Sequence, residues 1–166
     1  MEMKIEDTLS DLKNAMEKWE YPIQHPVKNS FVESITNRKN DSNNSPFLEN
    51  LADELCILFV NQPDYVTFLR KMDGLEHDGV TLFSLSVPEP VIKNFFVMNE
   101  YYRNNDDYID PDLAERLVIG ENNISLFTYD TKTNLFEIRD SASSESVYGS
   151  FDNFANFLTE ILSAVK

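Results

Sequence analysis

The sequence predicts an α+β fold: a mostly antiparallel sheet flanked by helices, in one domain with an N-terminal helical extension. Three observations carry this. Apolar residues recur at helical spacing near both ends of the chain and in its middle. Strand-like runs follow one another between residues 117 and 138 on connections of hairpin length, and strands joined so closely pair antiparallel. Glycine is scarce, with 4 in 166 residues, which argues against a barrel of tight hairpins. The length suits one domain, since domains commonly hold about 100–200 residues. Such a chain buries enough surface to need no disulfide or structural metal.

Ile5, Leu9, Leu12, Met16 and Trp19 form one helix stripe over residues 3–19. Tyr21-Pro22 ends it, because the residue before proline disfavours the helical region. Phe31 to Ile35 adds a helical turn. Thr36 to Ser45 has no apolar residue and reads as an exposed loop. It divides residues 1–45, a helical arm and polar loop, from a main body at 46–166. Ser45 suits an N-cap and Pro46 the first position of the next helix. Phe47, Leu48, Leu51, Leu55, Leu58 and Phe59 are its expected buried face. Cys56 lies near that face, as an inert core thiol.

Pro63 to Met72 is a further helix, with Tyr65, Phe68, Leu69 and Met72 on one side and Asp73-Gly74 as its stop. Glu76-His77-Asp78-Gly79 reads as a turn and Val80 to Leu85 as a strand. Val87-Pro88-Glu89-Pro90 connects outside any sheet interior. Ile92, Phe95, Phe96, Asn99 and Tyr102 have helical spacing, and Arg103 to Asp112 is an acidic loop. Strands are expected at Leu117–Ile119, Ile124–Tyr129 and Leu135–Ile138, with a short edge strand at Val147-Tyr148. Ser150 is the expected cap of a last helix bearing Phe151, Phe154, Phe157, Leu158, Ile161 and Leu162.

The formal net charge is −15. Residues 1–40 carry 7 acids and 6 bases, whereas residues 41–166 carry 22 acids and 8 bases. Such a surface repels nucleic acid and anionic lipid, so neither nucleic acid nor membrane is an expected partner. A basic protein partner would be attracted. The one cysteine cannot form an internal bridge, which fits a reducing compartment. Residues 1–19 alternate charged and apolar residues rather than showing a secretory pattern. A cytoplasmic location is expected.

Residues for catalysis are few. A nucleophilic triad needs a base, and only His25 and His77 are histidines. No phosphate-cradling glycine loop, Walker motif or dinucleotide fingerprint occurs. Glu76-His77-Asp78 are adjacent residues that rarely converge on one ion. The run Asp106, Asp107, Asp110, Asp112 lacks the central glycine and final glutamate of a calcium loop. No catalytic residue, metal or cofactor is expected. The acidic loops remain as the candidate partner interface: Asp73, Glu76 and Asp78, then Asp106, Asp107 and Asp110, then Glu121.

The segment Pro63-Asp64-Tyr65-Val66-Thr67-Phe68-Leu69, followed by Asp73-Gly74-Leu75, resembles the P-x-x-Y/F-x-x-F/Y-L helix and N/D-G turn of the SUKH superfamily. Val80–Leu85 sits where that family places its first long strand. Leu117 to Asn122 is similar to its strand and G-D/E turn, and Ser150-Phe151-Asp152-Asn153-Phe154 to the S-F-x-x-F opening of its C-terminal helix. The resemblance covers about residues 46–165. It departs at Asn122-Asn123, where many relatives carry a more acidic, glycine-rich turn. The resemblance implies an α+β domain and a bacterial immunity protein that binds and neutralises a polymorphic toxin, without catalysis. Many such toxins are nucleases with basic faces, which an acidic inhibitor suits. The alternatives are a cytosolic regulatory or scaffold adaptor binding a host protein and, further off, a small-ligand protein or enzyme.

Overall fold

The computed structural model describes residues 5–37, 46–86, 92–104 and 109–163. Among these the chain forms seven helices and one six-stranded antiparallel sheet. The helices are α1 (Ile5–Lys18), α2 (Asn29–Thr36), α3 (Pro46–Asn61), α4 (Pro63–Lys71), α5 (Phe95–Asn104), α6 (Pro111–Ala114) and α7 (Phe154–Ser163). The strands are β1 (Leu75–His77), β2 (Val80–Leu82), β3 (Leu117–Glu121), β4 (Ser125–Asp130), β5 (Leu135–Asp140) and β6 (Val147–Phe151), and they lie in the sheet in chain order. The α+β class with helices flanking the sheet is as the sequence predicts.

The sheet pleat sorts its residues between two helical layers. Phe127, Tyr129 and Phe136 face α4 and α7, where Phe136 lies 5.5 Å from Phe154 and 5.2 Å from Phe157, centroid to centroid. Phe154 closes the layer against Tyr65 at 5.1 Å and Phe68 at 5.4 Å. Burial and the neighbouring charge of Asp73 push the Tyr65 phenol pKa up, so it stays neutral. On the other face α5 packs on β3. There Asn99, fully buried, donates to the Val118 carbonyl at 2.8 Å and accepts its N–H at 2.9 Å. β3 can bond to a side chain here because its register with β4 shifts between Val118 and Gly120. Gly120 itself has no room for a side chain: a Cβ would meet the Thr81 carbonyl oxygen at 2.4 Å.

The N-terminal helices share this core. Ile5, Leu9, Leu12 and Met16 are buried in the same cluster as the sheet residues, and α1 packs on α4 and α7. The linker is tied down by Val27 N–H to the Leu69 carbonyl (2.8 Å) and Asp73 N–H to the His25 carbonyl (3.1 Å). The division expected after residue 45 falls in residues 38–45, outside the described residues, as does the expected cap Ser45.

Several expected elements change. Residues 76–79 are not a simple turn. Leu75–His77 pairs with Val80–Leu82 as a hairpin, closed by Asp78 (φ 48) and Gly79 (φ 86), the double left-handed geometry for which Asp-Gly is favoured. The strand expected to reach Leu85 stops at Leu82, because Ser84 turns away to bridge Asn94 in parallel. The helix expected from Ile92 starts at Phe95, where the Asn94 carboxamide oxygen accepts the Phe96 N–H at 2.9 Å. Ser150 and Phe151 belong to β6 rather than the last helix. Asn153 caps α7 instead, accepting the Asn156 N–H at 2.8 Å. Leu48 is exposed rather than buried, and Cys56 is half-buried with its thiol facing the Thr36 carbonyl at 3.8 Å. Trp19 leaves the α1 stripe and stands in solvent.

Candidate binding surface

Antiparallel order brings alternate connections to the same end of a sheet. The turns at 78–79, 122–124 and 141–146 therefore share one end, and the last two are joined by the Ser141 N–H to the Ile124 carbonyl at 3.0 Å. This end carries acids: Asp78 and Glu145 are exposed, Glu121 and Asp140 partly so. Glu76 adds a carboxylate in register, since Glu76 pairs with Thr81 and Thr81 with Glu121. The two glutamates therefore stand in one row, two strand spacings or about 10 Å apart. Glu121 is partly neutralised by Lys93 at 3.0 Å. The Tyr148 hydroxyl donates to Asp140 and, with the Ala142 N–H, holds that carboxyl below its usual range. The Ser143 hydroxyl does the same for Glu145. Both acids are thus charged at neutral pH.

Beside this end lies a groove of about 670 Å³. Its walls are α1, through Asp11, Leu12 and Ala15, and α7, through Leu162, and Asp78 marks its junction with the acidic turns. The end of α1 shapes it. The Glu20 N–H bonds to the Glu17 carbonyl at 3.2 Å and the Tyr21 N–H to the Met16 carbonyl at 2.8 Å, with Glu20 left-handed at φ 59. This paired closure reverses the chain. It throws Trp19 outward, 66 % exposed, and folds Tyr21 back onto His77, whose ring lies edge-on at 4.8 Å. Strand alternation turns His77 inward while Glu76 points out. His77 is 7 % exposed, lines the groove, and its Nδ1 finds no hydrogen-bond partner among the described residues. A buried polar atom left unpaired costs about 1–3 kcal/mol.

No family model matches the chain, and no solved structure does. Over 130 residues it is 55% identical to the uncharacterized protein YrhA of Escherichia coli (strain K12), a match that covers 78% of this chain and 94% of that protein. The chain belongs to the YrhA family. That name states no activity, so the chemistry of a YrhA-family chain is read from its side chains.

The seven acids expected at an interface in this YrhA-family member divide. Glu76, Asp78 and Glu121 come together at the acidic end of the sheet. Asp106 and Asp107 lie outside the described residues. Asp110 is partly buried and caps α6, accepting the Asp112 N–H at 2.9 Å and a hydrogen bond from the Ser144 hydroxyl. That second bond ties the loop before α6 to the turn at 141–146.

Asp73 is corrected outright. It is fully buried, where no partner can reach it. One oxygen accepts the Leu85 N–H at 2.8 Å and the other the Ser86 N–H at 3.0 Å and the Ser86 hydroxyl. It anchors the chain leaving β2. Asp73→Ala should therefore lower stability by about 1.5–3 kcal/mol, the usual range for hydrogen bonds to a charged group. Urea denaturation reads this, and a loss below about 0.5 kcal/mol would return Asp73 to the surface class.

Asp140, Glu145 and the groove have no functional mark in the sequence, and Trp19 reads there only as part of the α1 stripe. The serine-rich run between Asp140 and Glu145 was a turn signal for the first two. Nothing local marks the groove, because its walls come from both ends of the chain. Among the described residues no helix is long and apolar enough to cross a membrane, and no group of three or more His, Cys, Asp or Glu could hold a metal ion.

Proposed function

We propose that this protein is a non-catalytic binding protein of the immunity type, related to the SUKH superfamily, which neutralises a toxin by covering a basic surface such as a nuclease's nucleic-acid face. The observation that carries the proposal is the convergence of Glu76, Asp78, Glu121, Asp140 and Glu145 at one end of a rigid sheet. Carboxylates spread along such an edge resemble a phosphate backbone in sign, and complementary charge speeds association and orients the partner. The element order also supports the resemblance: a helix with Tyr65 and Phe68 inward, a hairpin, an antiparallel meander and a closing helix. The proposed site of action is the cytoplasm.

The test is a charge reversal that leaves the fold alone. Glu76 and Asp78 are both exposed, and the double variant Glu76→Lys with Asp78→Lys should stay folded but melt somewhat below the parent, because lysine suits the left-handed backbone at residue 78 less well than aspartate. Binding to a co-encoded nuclease toxin should weaken by more than about tenfold, or 1.4 kcal/mol. Affinity for the parent should also fall as salt rises, because exposed charges are screened over about 8–10 Å near physiological ionic strength. Undiminished binding by the double variant, with salt-independent affinity, would sink the acidic-edge reading. Co-purification with a housekeeping complex in place of a toxin would favour the adaptor reading.

A further inference from the structure

We propose that the groove between α1, α7 and the Asp78-Gly79 turn is a receptor for one cationic side chain, an arginine or lysine on an apolar stem, presented by a basic segment of the protein partner. This rests on the acidic-edge reading and adds to it the pocket into which that partner is anchored.

Four features of the groove select this chemistry. Its floor and walls include Leu12, Ala15, Tyr21 and Leu162, apolar atoms suited to the methylenes of a long side chain. Asp11 and Asp78 stand at its rim, both exposed, and neither forms an ion pair among the described residues. This contrasts with Glu54, Glu121, Asp130 and Glu137, each of which holds a lysine or arginine of the chain itself. Trp19 projects beside them with 66 % of its surface free, and an indole face attracts cations. The Lys18 ammonium lies over the ring, 5.3 Å from its centroid. Finally, His77 is more than nine-tenths buried, lines the groove and has a ring nitrogen without a hydrogen-bond partner among the described residues. An apolar lining, two free carboxylates and an aromatic face, with an unpartnered polar atom beneath them, together describe a site for a cation with a carbon chain.

The groove opens onto the acidic edge at Asp78, so a partner lying along that edge passes the groove mouth. Anchoring one buried side chain amid screened rim charges is how interfaces concentrate affinity.

Trp19 is the single tryptophan of the chain, so its fluorescence reports on the groove without a label and without the toxin. The full-length protein would be titrated with the peptide N-acetyl-Leu-Arg-Leu-amide and, separately, with the same peptide carrying citrulline, which is neutral and nearly isosteric. The expected result is a saturable change in Trp19 emission with the arginine peptide, and at least tenfold weaker binding of the citrulline peptide. Asp11→Asn with Asp78→Asn should weaken the arginine peptide by a similar factor at an unchanged melting temperature, since asparagine tolerates the left-handed backbone at residue 78. Equal binding of both peptides would overturn the proposal and leave an apolar ligand pocket. So would the absence of any saturable signal from Trp19. Neither of those outcomes touches the charge-reversal result at Glu76 and Asp78. Loss of toxin binding there, with no arginine effect here, would keep the acidic edge and remove the anchor.

Discussion

Phe154→Ala should cost about 3–5 kcal/mol of stability, the usual price of emptying a buried aromatic site. Phe154 is fully buried at the meeting point of α4, α7 and β5, with Tyr65, Phe68, Phe136 and Phe157 all within 6.0 Å of its ring centroid. These four rings are themselves pinned by one another: Phe136 stacks on Phe157 at 5.2 Å. They cannot collapse into the space an alanine would leave, so both the lost transfer energy and the cavity count. Urea denaturation followed by circular dichroism measures the loss. The slope should be unchanged and the midpoint lower. A variant that unfolds with the parent midpoint would mean that these aromatics are not the core.

Glu137→Ala should be about as damaging, roughly 3–5 kcal/mol, for a different reason. Glu137 is buried on the opposite face of the sheet, where Arg139 Nη2 donates to both of its oxygens at 3.0 Å. Arg116 Nε donates to it at 2.9 Å and the Thr128 hydroxyl at 3.2 Å. Arg116 has Asp130 as a second partner at 3.4 Å, but Arg139, only 4 % exposed, keeps little beyond the Ser144 carbonyl at 2.7 Å. Removing the carboxylate strands that guanidinium in a poorly solvated site. Glu137→Gln retains the shape and two of the lone pairs, so it should cost less than alanine. An alanine loss below about 1 kcal/mol would place the pair with ordinary surface ion pairs.

Both residues bear on how far the chain could be read in advance. Phe154 was legible: its spacing with Phe157, Leu158 and Ile161 is a helix stripe, and stripes bury. Glu137 was not. It sits between Phe136 and Ile138 in a strand, and alternation alone assigns such a residue to solvent. The structure buries it because α6 and the turn at 141–146 bring Arg116 and Ser144 over that face. The missed strand β1 is instructive in another way. Asp78-Gly79 is a strong hairpin signal, yet only three residues precede it in the strand, too few for a period to show. Asp73 misled for a similar reason. A helix-ending aspartate beside a glycine reads as exposed, and only the return of Leu85 and Ser86 supplies the N–H groups that let it be buried.

The α+β class, most of each helix face and the meander from β3 to β5 are legible in local spacing, and the acidic bias after residue 40 in composition, because none of these needs a contact between distant segments. Which acids are available follows from long-range packing. It buried Asp73, engaged Asp110 and gathered Glu76, Asp78 and Glu121 at one end of the sheet. It also made the groove, from α1 at one end of the chain, α7 at the other and a hairpin between them. The physical reason is the same throughout. Spacing governs which side of an element is apolar, whereas the neighbour that covers, pairs or frees a polar side chain comes from packing between segments far apart in the chain.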